Sequence, residues 1–453
     1  NTLRDYAPEI VAKPFNGDVF VTRDLEHRVG PGPQITCEGP GGEDQTFDVE
    51  MVIGIRRIQM FTTTMPDGRI QVLPVFLEVP KKEWFDYAHF IFGRPRDLEI
   101  PPDSPNSWYG PARNFNSRCG GCHTLDYDIG YDYETGRYDT TWRERQISCE
   151  NCHGPGAEHV AFHTRRGRGD DPIVNPAKLS IDRANQVCGR CHAEGELIDP
   201  DFLPGEDLFA HVDVNGLEDA KHLFPDGRAR ELIHALLPTT MSRCGPIACT
   251  QCHDPHGRGI PGDLIRPLDD HWTCTQCHEK YKDAAVVEAH THHKADSPGS
   301  SCFGCHMPRM IIEGGHGRIF DHTVSIPSMV NSKRRGLPNA CRDCHLAEPP
   351  EWEYEKFAEW YPEAEKRNHR VPLAAAIGDA RLGKAEAKTG LLELLEDPNP
   401  IYRAGATWSL SRHADIDLRP QLEDPHPLVR RAAIKGVAAS HPDLLIPLLD
   451  DDS

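Results

Sequence analysis

Residues 119–123 read Cys-Gly-Gly-Cys-His, and the same Cys-x-x-Cys-His pattern occurs six more times before residue 346. This spacing is the attachment signature of c-type haem. Two thiols separated by two residues can form thioethers with both vinyl groups of one porphyrin, and the next histidine can donate its imidazole to the iron. The cysteines of the seven motifs are Cys119, Cys122, Cys149, Cys152, Cys188, Cys191, Cys249, Cys252, Cys274, Cys277, Cys302, Cys305, Cys341 and Cys344. The histidines that follow them are His123, His153, His192, His253, His278, His306 and His345, so the sequence predicts seven haems c.

Zinc sites and disulfides explain these motifs less well. Zinc ribbons combine two Cys-x-x-Cys knuckles in a four-coordinate site, but they do not require a histidine after each knuckle. Seven knuckles would also leave one without a partner. A disulfide framework would have to close the same very short loop seven times.

The composition limits the compartment and the partners. The 453-residue chain has a net charge of −20, which disfavours nucleic acid and anionic membrane surfaces and favours basic redox partner proteins. It contains no run of eighteen apolar residues, so no membrane span is predicted. Covalent haem attachment takes place outside the cytoplasm, and we therefore expect a periplasmic or extracellular protein whose secretion signal is absent from this sequence. Two cysteines outside the motifs, Cys37 and Cys244, either form a disulfide or are two unrelated thiols.

The composition changes along the chain and suggests three segments. Residues 1–112 contain no motif, and β-branched and aromatic residues flank Pro66-Asp67-Gly68, which predicts a β-hairpin or small sheet that caps the first haems. Residues 113–347 carry all seven motifs, roughly one per 33 residues. At this density the porphyrins themselves must fill the interior, so we expect short helices and irregular loops. The predicted fold is mainly α: an irregular multihaem core with a small N-terminal β element and a C-terminal α-solenoid.

The predicted solenoid occupies residues 348–453 and rests on a repeat. The segment that begins Leu395-Glu-Asp-Pro-Asn-Pro returns 27 residues later as Leu422-Glu-Asp-Pro-His-Pro, and a third copy begins at Leu449. Asp before Pro predicts a helix N-cap followed by a first turn. The pattern resembles HEAT-like repeats, whose usual role is protein contact, and it predicts self-association or docking of a partner. Because the sequence stops inside a copy, we expect the natural protein to be longer.

The second axial ligands must come from the other eighteen histidines. His256 follows His253 too closely to reach the opposite face of the same ring, and the short distance from His153 argues against it for His159. If these two histidines bind iron, it would be the iron of a neighbouring haem. His290 and His293 lie three apart on a predicted helix, so both could face haems, and His322 follows Asp321, which could orient a ligand from the second shell. Candidates without a local pattern are His211, His222, His234 and His271.

Several of these segments resemble a known family. They are residues 138–142, 148–160, 249–256, 297–308, 321–327 and 338–345. They resemble secreted multihaem cytochromes related to the tetrahaem cytochrome of nitrifying bacteria, many of which are fused to tetratricopeptide or HEAT-like repeats. The resemblance covers residues 47–346 and implies bis-histidine haems with His159, His256, His293 and His322 as distal ligands. Relatives open with another motif ahead of the hairpin, so either the amino terminus is missing here or this member has lost a haem. We favour truncation and expect an eighth haem in a longer protein.

Two functions follow from these observations. Haems with two histidine ligands have no open site and relay electrons, which would make the protein an electron carrier, alone or within a larger complex or haem filament. The alternative is an oxidoreductase that acts on a small nitrogen or sulfur compound, such as nitrite or hydroxylamine, at one haem without a distal ligand. The sequence contains no Cys-x-x-Cys-Lys, the variant attachment site of some catalytic haems, and this favours the relay.

Overall fold

The computed structural model describes residues 3–22, 25–39, 41–86, 107–230, 235–242, 244–257, 259–269, 271–311, 318–413 and 415–438. The predicted ligand His234 and the third repeat copy at Leu449 lie outside these residues. Within the described part, the chain divides into two compact units, of which the first ends at Val174 and the second begins at Asn175. This boundary falls inside the predicted haem segment, and the three-segment division stays a prediction.

The first unit is built on two antiparallel sheets, with strand orders β1-β6-β7-β8-β9 and β2-β3-β4-β5. The strands are β1 Leu3–Asp5, β2 Asp18–Thr22, β3 Leu25–Val29, β4 Gln34–Glu38, β5 Asp44–Asp48, β6 Met51–Ile53, β7 Ile58–Thr64, β8 Ile70–Glu78 and β9 Glu83–Asp86. The expectation of a mainly α protein is therefore only partly met, because the region predicted to hold a small β element forms two sheets.

The predicted hairpin lies at the centre of the larger sheet. β7 and β8 are joined by the turn at Pro66-Asp67-Gly68, where Met65 N donates to Arg69 O at 2.7 Å and Gly68 N donates to Met65 O at 2.9 Å. Gly68 has φ +83°, and a Cβ there would lie 2.1 Å from Tyr138 O, so only glycine fits. The prediction of a hairpin at this turn is confirmed.

Both faces of β8 are buried, and this explains how the sheet supports the first motif. Leu73, Val75 and Leu77 pack in one core cluster with Val29 and Ile35 of the smaller sheet. A second cluster contains Ile70, Val72, Phe76 and Phe115, and Cys119 packs against it. The ladder between β7 and β8 is irregular between Met60 and Thr62, opposite Pro74, which has no N–H to donate.

The two cysteines outside the motifs differ in accessibility. Cys37 is fully buried in the core of the first unit, and burial raises the pKa of its thiol. Cys244, in the second unit, is exposed.

We expect a maleimide to label Cys244 of the native haem-loaded protein at least about 100-fold faster than Cys37, because Cys37 reacts only after a local opening of the fold that costs roughly 3 kcal/mol. Mass spectrometry of the labelled peptides measures the ratio, and resistance of both thiols until a reductant is added would instead indicate a disulfide.

Short elements follow the sheets in the first unit. They are the helices α1 Phe115–Arg118 and α2 Gly120–His123, the ladder of β10 Tyr131–Asp132 with β11 Arg137–Tyr138, and the helices α3 Cys149–His153 and α4 Ala157–Thr164. The first two motifs therefore lie on helical turns directly after the sheets.

The second unit is mainly helical among its described residues. Its helices are α5 Ile181–His192, α6 Leu208–His211, α7 Leu236–Thr240, α8 Trp272–Thr275, α9 Ala284–Thr291, α10 Cys302–His306, α11 Met329–Arg335, α12 Pro350–Trp360, α13 Ala364–Arg367, α14 Arg370–Arg381, α15 Ala387–Leu394, α16 Pro400–Leu410, α17 Arg419–Leu422 and α18 Pro427–Ala438. Two short ladders pair β12 Gly195–Leu197 with β13 Val212–Val214, and β14 Arg309–Ile311 with β15 Arg318–Phe320. Between the motifs the helices are short, as predicted.

The C-terminal helices share one core with earlier parts of the second unit. Leu208, Leu223 and Leu237 pack in the same cluster as Leu373 of α14 and Leu410 of α16. Arg381 adds polar contacts, because its guanidinium donates to Leu217 O and Leu223 O. The helices of residues 370–438 are therefore anchored on the segment that carries the third motif.

The sequence repeat has an equivalent in the hydrogen bonds. Arg403 donates to Asp397 O at 2.8 Å, and Arg430, 27 residues later, donates to Asp424 O at the same distance. The predicted Asp N-cap is wrong: α16 begins at Pro400, and Asn399 caps it by accepting from Ile401 N. The Asp397 carboxylate accepts from Asn399 N instead, and so it shapes the turn before the helix.

Among the described residues, no helix is both long and apolar enough to span a membrane.

Candidate haem centres

The first motif is held against the larger sheet. Asn114 caps α1 by accepting from Asn116 N, and Asn116 Oδ1 in turn accepts from Ile70 N of β8 at 2.7 Å. His123, the last residue of the motif, is largely enclosed by protein, and burial lowers its pKa to about 4. The imidazole is therefore neutral at neutral pH, which is the form that binds metals.

The second motif lies on α3, which begins after a capping box of Ser148 and Asn151. His153 Nδ1 lies 2.8 Å from Val174 O. One turn further, on α4, His159 Nδ1 lies 2.7 Å from one oxygen of Asp171, and His163 Nε2 lies 2.8 Å from the other. These two hydrogen bonds lower the pKa of Asp171 to about 2, so the carboxylate stays charged and orients His159 through its Nδ1.

In the second unit, Asn185 ties the third motif to the fourth. Asn185 lies on α5 one turn before Cys188; its Nδ2 donates to Ile247 O at 2.8 Å, and its Oδ1 accepts from Cys249 N at 2.9 Å. The thiols of Cys188 and Cys249 are in hydrogen-bond contact. A second contact of this kind joins Cys274 of the fifth motif to Cys302 of the sixth. Cysteines of successive motifs thus meet at two places.

Three motif histidines of the second unit face a second histidine. The ring centroids of His253 and His322 are 6.3 Å apart with 21° between the ring planes. Those of His306 and His290 are 6.1 Å apart with planes within 1° of parallel. Those of His345 and His293 are 6.1 Å apart at 45°. In each pair one histidine ends a motif and the other lies 16 to 69 residues away in the sequence.

The Nδ1 atoms of four of these six rings lie against backbone carbonyls. The contacts are His253 to Gly262 O at 2.9 Å, His306 to Ser325 O at 2.9 Å, His322 to Phe320 O at 2.8 Å and His293 to Thr291 O at 2.6 Å. Because a carbonyl only accepts, Nδ1 must carry the proton in each ring. The lone pair is then on Nε2, the nitrogen left to bind a metal.

Burial favours the neutral form of three of the paired imidazoles. The pKa values of His290, His306 and His322 are lowered, first by burial and also by the charge of a neighbouring histidine, although the contact with Ser325 O partly opposes this at His306. The pKa of His192 is also lowered, first by burial and then by His322 and His253. A neutral imidazole with its lone pair on Nε2 is the donor that haem iron takes from proteins.

The donor set fits haem c. A metal–nitrogen bond of about 2 Å, extended to the ring centre and doubled, places two axial imidazole centroids roughly 6 Å apart. The three histidine pairs have this separation, which is too long for face-to-face contact of the rings. Each pair also lies beside two cysteines of its own motif, the groups that form the thioethers.

The other predicted ligands lie in different surroundings. The side chain of His256 is 80% exposed, and its Nδ1 lies 3.8 Å from Asp254. Both ring nitrogens of His211 lie within 3.4 Å of a carboxylate, that of Asp199 or of Glu206. The roles proposed for these two histidines from the sequence stay predictions.

One detail predicted around the ligands is wrong. His290 and His293 do not share a helix, because α9 ends at Thr291 and His292 has a left-handed backbone with φ 57°. The role suggested for Asp321 stays a prediction. Its carboxylate accepts from Thr323 N and Thr323 Oγ1, and His322 Nδ1 contacts Phe320 O, but the charge of Asp321 partly opposes the lowering of the His322 pKa.

Sequence reasoning also missed several residues that surround the sites. Asp171 and Asn185 were not predicted, although both are polar residues close to a motif. The aromatic residues of α12 were not predicted to surround a site either, yet the ring of Trp352 lies 4.8 Å from that of His345, and the ring of Trp360 stacks on that of His292 at 4.4 Å. Sequence reasoning could have found these aromatic residues from their clustering directly after the seventh motif.

Comparisons with known proteins agree with this chemistry. The family model of the doubled CXXCH motif matches residues 245–283, which contain the fourth and fifth motifs. Multiheme cytochrome MtrA of Shewanella baltica (strain OS185) is 24% identical over 218 residues, which cover 47% of this chain and 47% of that protein. Together with the seven motifs, these matches support a multihaem c-type cytochrome.

The extent of these matches is limited. The cytochrome spans about half the length of the curated relative that it matches. Among solved structures, the crystal structure of outer cell wall cytochrome OcwA matches over 86% of this chain and 87% of that chain, with a TM-score of 0.49 and 17% sequence identity.

Proposed function

We propose that this cytochrome relays electrons between redox partner proteins through seven haems c, each attached by the two cysteines of one motif and ligated by its histidine. Haem c supplies an iron that takes up and gives back one electron. The residues of the chain would hold that iron with two imidazoles, exclude other ligands and set its potential through hydrogen bonds and burial.

The facing histidines carry this proposal. We assign His322 as the distal ligand at the fourth motif, His290 at the sixth and His293 at the seventh. The support is the centroid separation of 6.1–6.3 Å in all three pairs and the Nδ1–carbonyl contacts that leave Nε2 as the donor. With two strong ligands at an iron, substrate has no place to bind, and electron transfer remains.

The contacts between motifs support a relay rather than isolated centres. Cys188 meets Cys249, and Cys274 meets Cys302, so the thioether edges of the third and fourth haems, and of the fifth and sixth, would be adjacent. His290 and His293, three residues apart, would ligate the sixth and seventh haems. In the first unit, His159 keeps its role as a proposed distal ligand, with Asp171 as the carboxylate that orients it.

We also propose a setting for the relay. Because thioether attachment takes place outside the cytoplasm, the protein would work in the periplasm or outside the cell. The 27-residue repeats would form a HEAT-like surface for a redox partner or for further copies of the chain in a complex or filament. The acidic net charge favours a basic partner.

Low-temperature electron paramagnetic resonance of the fully oxidised protein, integrated against total haem, tests the relay. We expect seven haems per chain by pyridine haemochrome assay and only low-spin ferric signals, since each iron has two nitrogen ligands. One equivalent of high-spin ferric haem would contradict a pure relay. It would favour the alternative, an oxidoreductase for nitrite, hydroxylamine or a small sulfur compound, with its open site at His123, His153, His192 or His278.

A further inference from the structure

One short turn carries the proposed distal ligands of two haems. Helix α9 ends at Thr291, and His292 has φ 57° and ψ 26°, a left-handed conformation that is uncommon for residues other than glycine. The reversal sends His290 toward His306 and His293 toward His345. We call residues 290–293 the ligand turn. Its backbone conformation therefore sets the positions of two imidazoles at once.

The ligand turn is held in part by its own residues. His292 N donates to Glu288 O at 2.8 Å, and Glu288 Oε1 accepts from Ala295 N at 2.9 Å. Thr291 Oγ1 donates to Val287 O at 2.9 Å, and Thr291 O lies 2.6 Å from His293 Nδ1. These bonds fix the chain direction but leave the outer side of the turn, formed by the His292 ring and the His290 carbonyl, to other contacts.

The end of α12 supplies those contacts. The indole of Trp360 stacks on His292 with centroids 4.4 Å apart and planes 8° from parallel. The Tyr361 hydroxyl donates to His290 O, and the Tyr361 ring lies 6.0 Å from the His290 ring and 5.7 Å from that of His292. Two consecutive aromatic residues thus contact the strained residue and the carbonyl of a ligand. A left-handed His292 persists only because its surroundings stabilise it.

We propose that Trp360 and Tyr361 are positioning residues that set the orientation of the His290 and His293 imidazoles, and through them the electronic state of the sixth and seventh haems. The inference rests on the proposed function, because it takes these two histidines as iron ligands. Rotation of an imidazole about its metal–nitrogen bond is soft, so the ring plane follows the backbone that carries it. The nearly parallel His290 and His306 planes are therefore sensitive to a small change in the turn.

The angle between two axial imidazole planes determines the anisotropy of the low-spin ferric signal, which makes the proposal measurable. We expect Trp360→Leu, Tyr361→Phe and His292→Asn to shift the low-spin resonances of two haems in the haem-loaded protein and to leave the remaining signals and the haem count unchanged. Asparagine tolerates the left-handed conformation but cannot stack as histidine does. Unchanged resonances in Trp360→Leu and Tyr361→Phe would overturn the proposal.

Matched controls separate positioning from general stability. Tyr354→Phe alters the same helix but keeps the ring, which lies 5.5 Å from Lys333 Nζ and packs against the same small cluster as Tyr361. Trp408→Leu removes an indole that packs against the large core of the second unit. Both controls should keep the parent spectrum even where thermal stability falls. A shift of the same resonances in the controls would reduce Trp360 and Tyr361 to ordinary structural residues and reject the proposal.

One more variant separates this inference from the function on which it rests. His290→Ala should create one equivalent of high-spin haem if His290 is a ligand. If it does so while the three positioning variants leave the spectrum unchanged, only the role of Trp360 and Tyr361 is rejected. If His290→Ala leaves every haem low-spin, the ligand assignment itself is wrong, and the positioning proposal is rejected with it.

Discussion

A haem-free form of the chain is expected to keep its two N-terminal sheets folded while residues 244–327 lose their structure. Among the described residues, nineteen apolar side chains are buried within residues 3–86, but only three, Val287, Phe303 and Met310, within residues 244–327. Three buried side chains cannot offset the conformational entropy of the 76 described residues in this range. The fourth to sixth motifs therefore depend on covalently attached porphyrin for their core, as metal-dependent domains depend on their metal.

Hydrogen exchange by mass spectrometry measures this difference. In a chain with all fourteen motif cysteines replaced by serine, amides of residues 244–327 should exchange about a thousandfold faster than in the haem-loaded protein, a loss of roughly 4 kcal/mol of protection. Peptides from β7 and β8 serve as the internal control and should keep most of their protection. Native-like protection of residues 244–327 without haem would show that the polypeptide forms this core by itself.

Replacement of His322 should have the largest effect on a single haem. His322→Ala removes one of two strong ligands, so one equivalent of high-spin ferric haem should appear. His322→Met should keep the haem low-spin and raise its midpoint potential by on the order of 100 mV, a modest part of the ~0.8 V range that axial ligands span. Paramagnetic resonance and spectroelectrochemical titration give the two readouts.

His426 offers a control for this experiment. It lies in the C-terminal helices, where its ring is 5.0 Å from Phe209 and burial lowers its pKa, but it belongs to none of the facing pairs. His426→Ala should lower stability and leave every haem low-spin. His256→Ala tests a further ligand that the family resemblance implies. A high-spin equivalent from His256→Ala would add His256 as the distal ligand of a neighbouring haem, and none from His322→Ala would reject His322 as a ligand.

The parts of this structure that could be predicted are those that neighbouring residues determine. Each attachment motif needs only five consecutive residues, and the Pro66-Asp67-Gly68 turn fixes its hairpin locally. The remaining strands could not be predicted in the same way. β5, for example, reads Asp-Gln-Thr-Phe-Asp and is mostly exposed, so its strand conformation depends on pairing with β4 rather than on an apolar alternation.

The pairing of the facing histidines could not be predicted either, because the two members of a pair are far apart in the sequence. His322 and His253 are 69 residues apart, and no spacing rule connects them. His290 and His293 were expected on one helix because their spacing is helical, but the left-handed His292 directs them to different partners. The helix start in the first repeat copy was predicted two residues too early, because Asn399 caps α16 in place of Asp397.

The pairing of His253 with His322 also imposes an order on biogenesis. A chain emerges from its amino terminus, so the fourth motif becomes available for attachment before the fifth and sixth, and its proposed second ligand follows only after all three. At the sixth and seventh motifs the order is reversed, because the proposed second ligands, His290 and His293, emerge before the motifs themselves. Of these three haems, the first to be attached would wait for its partner histidine, and the last two would find their second ligands already available, so the order of residues in the sequence gives this part of maturation a direction.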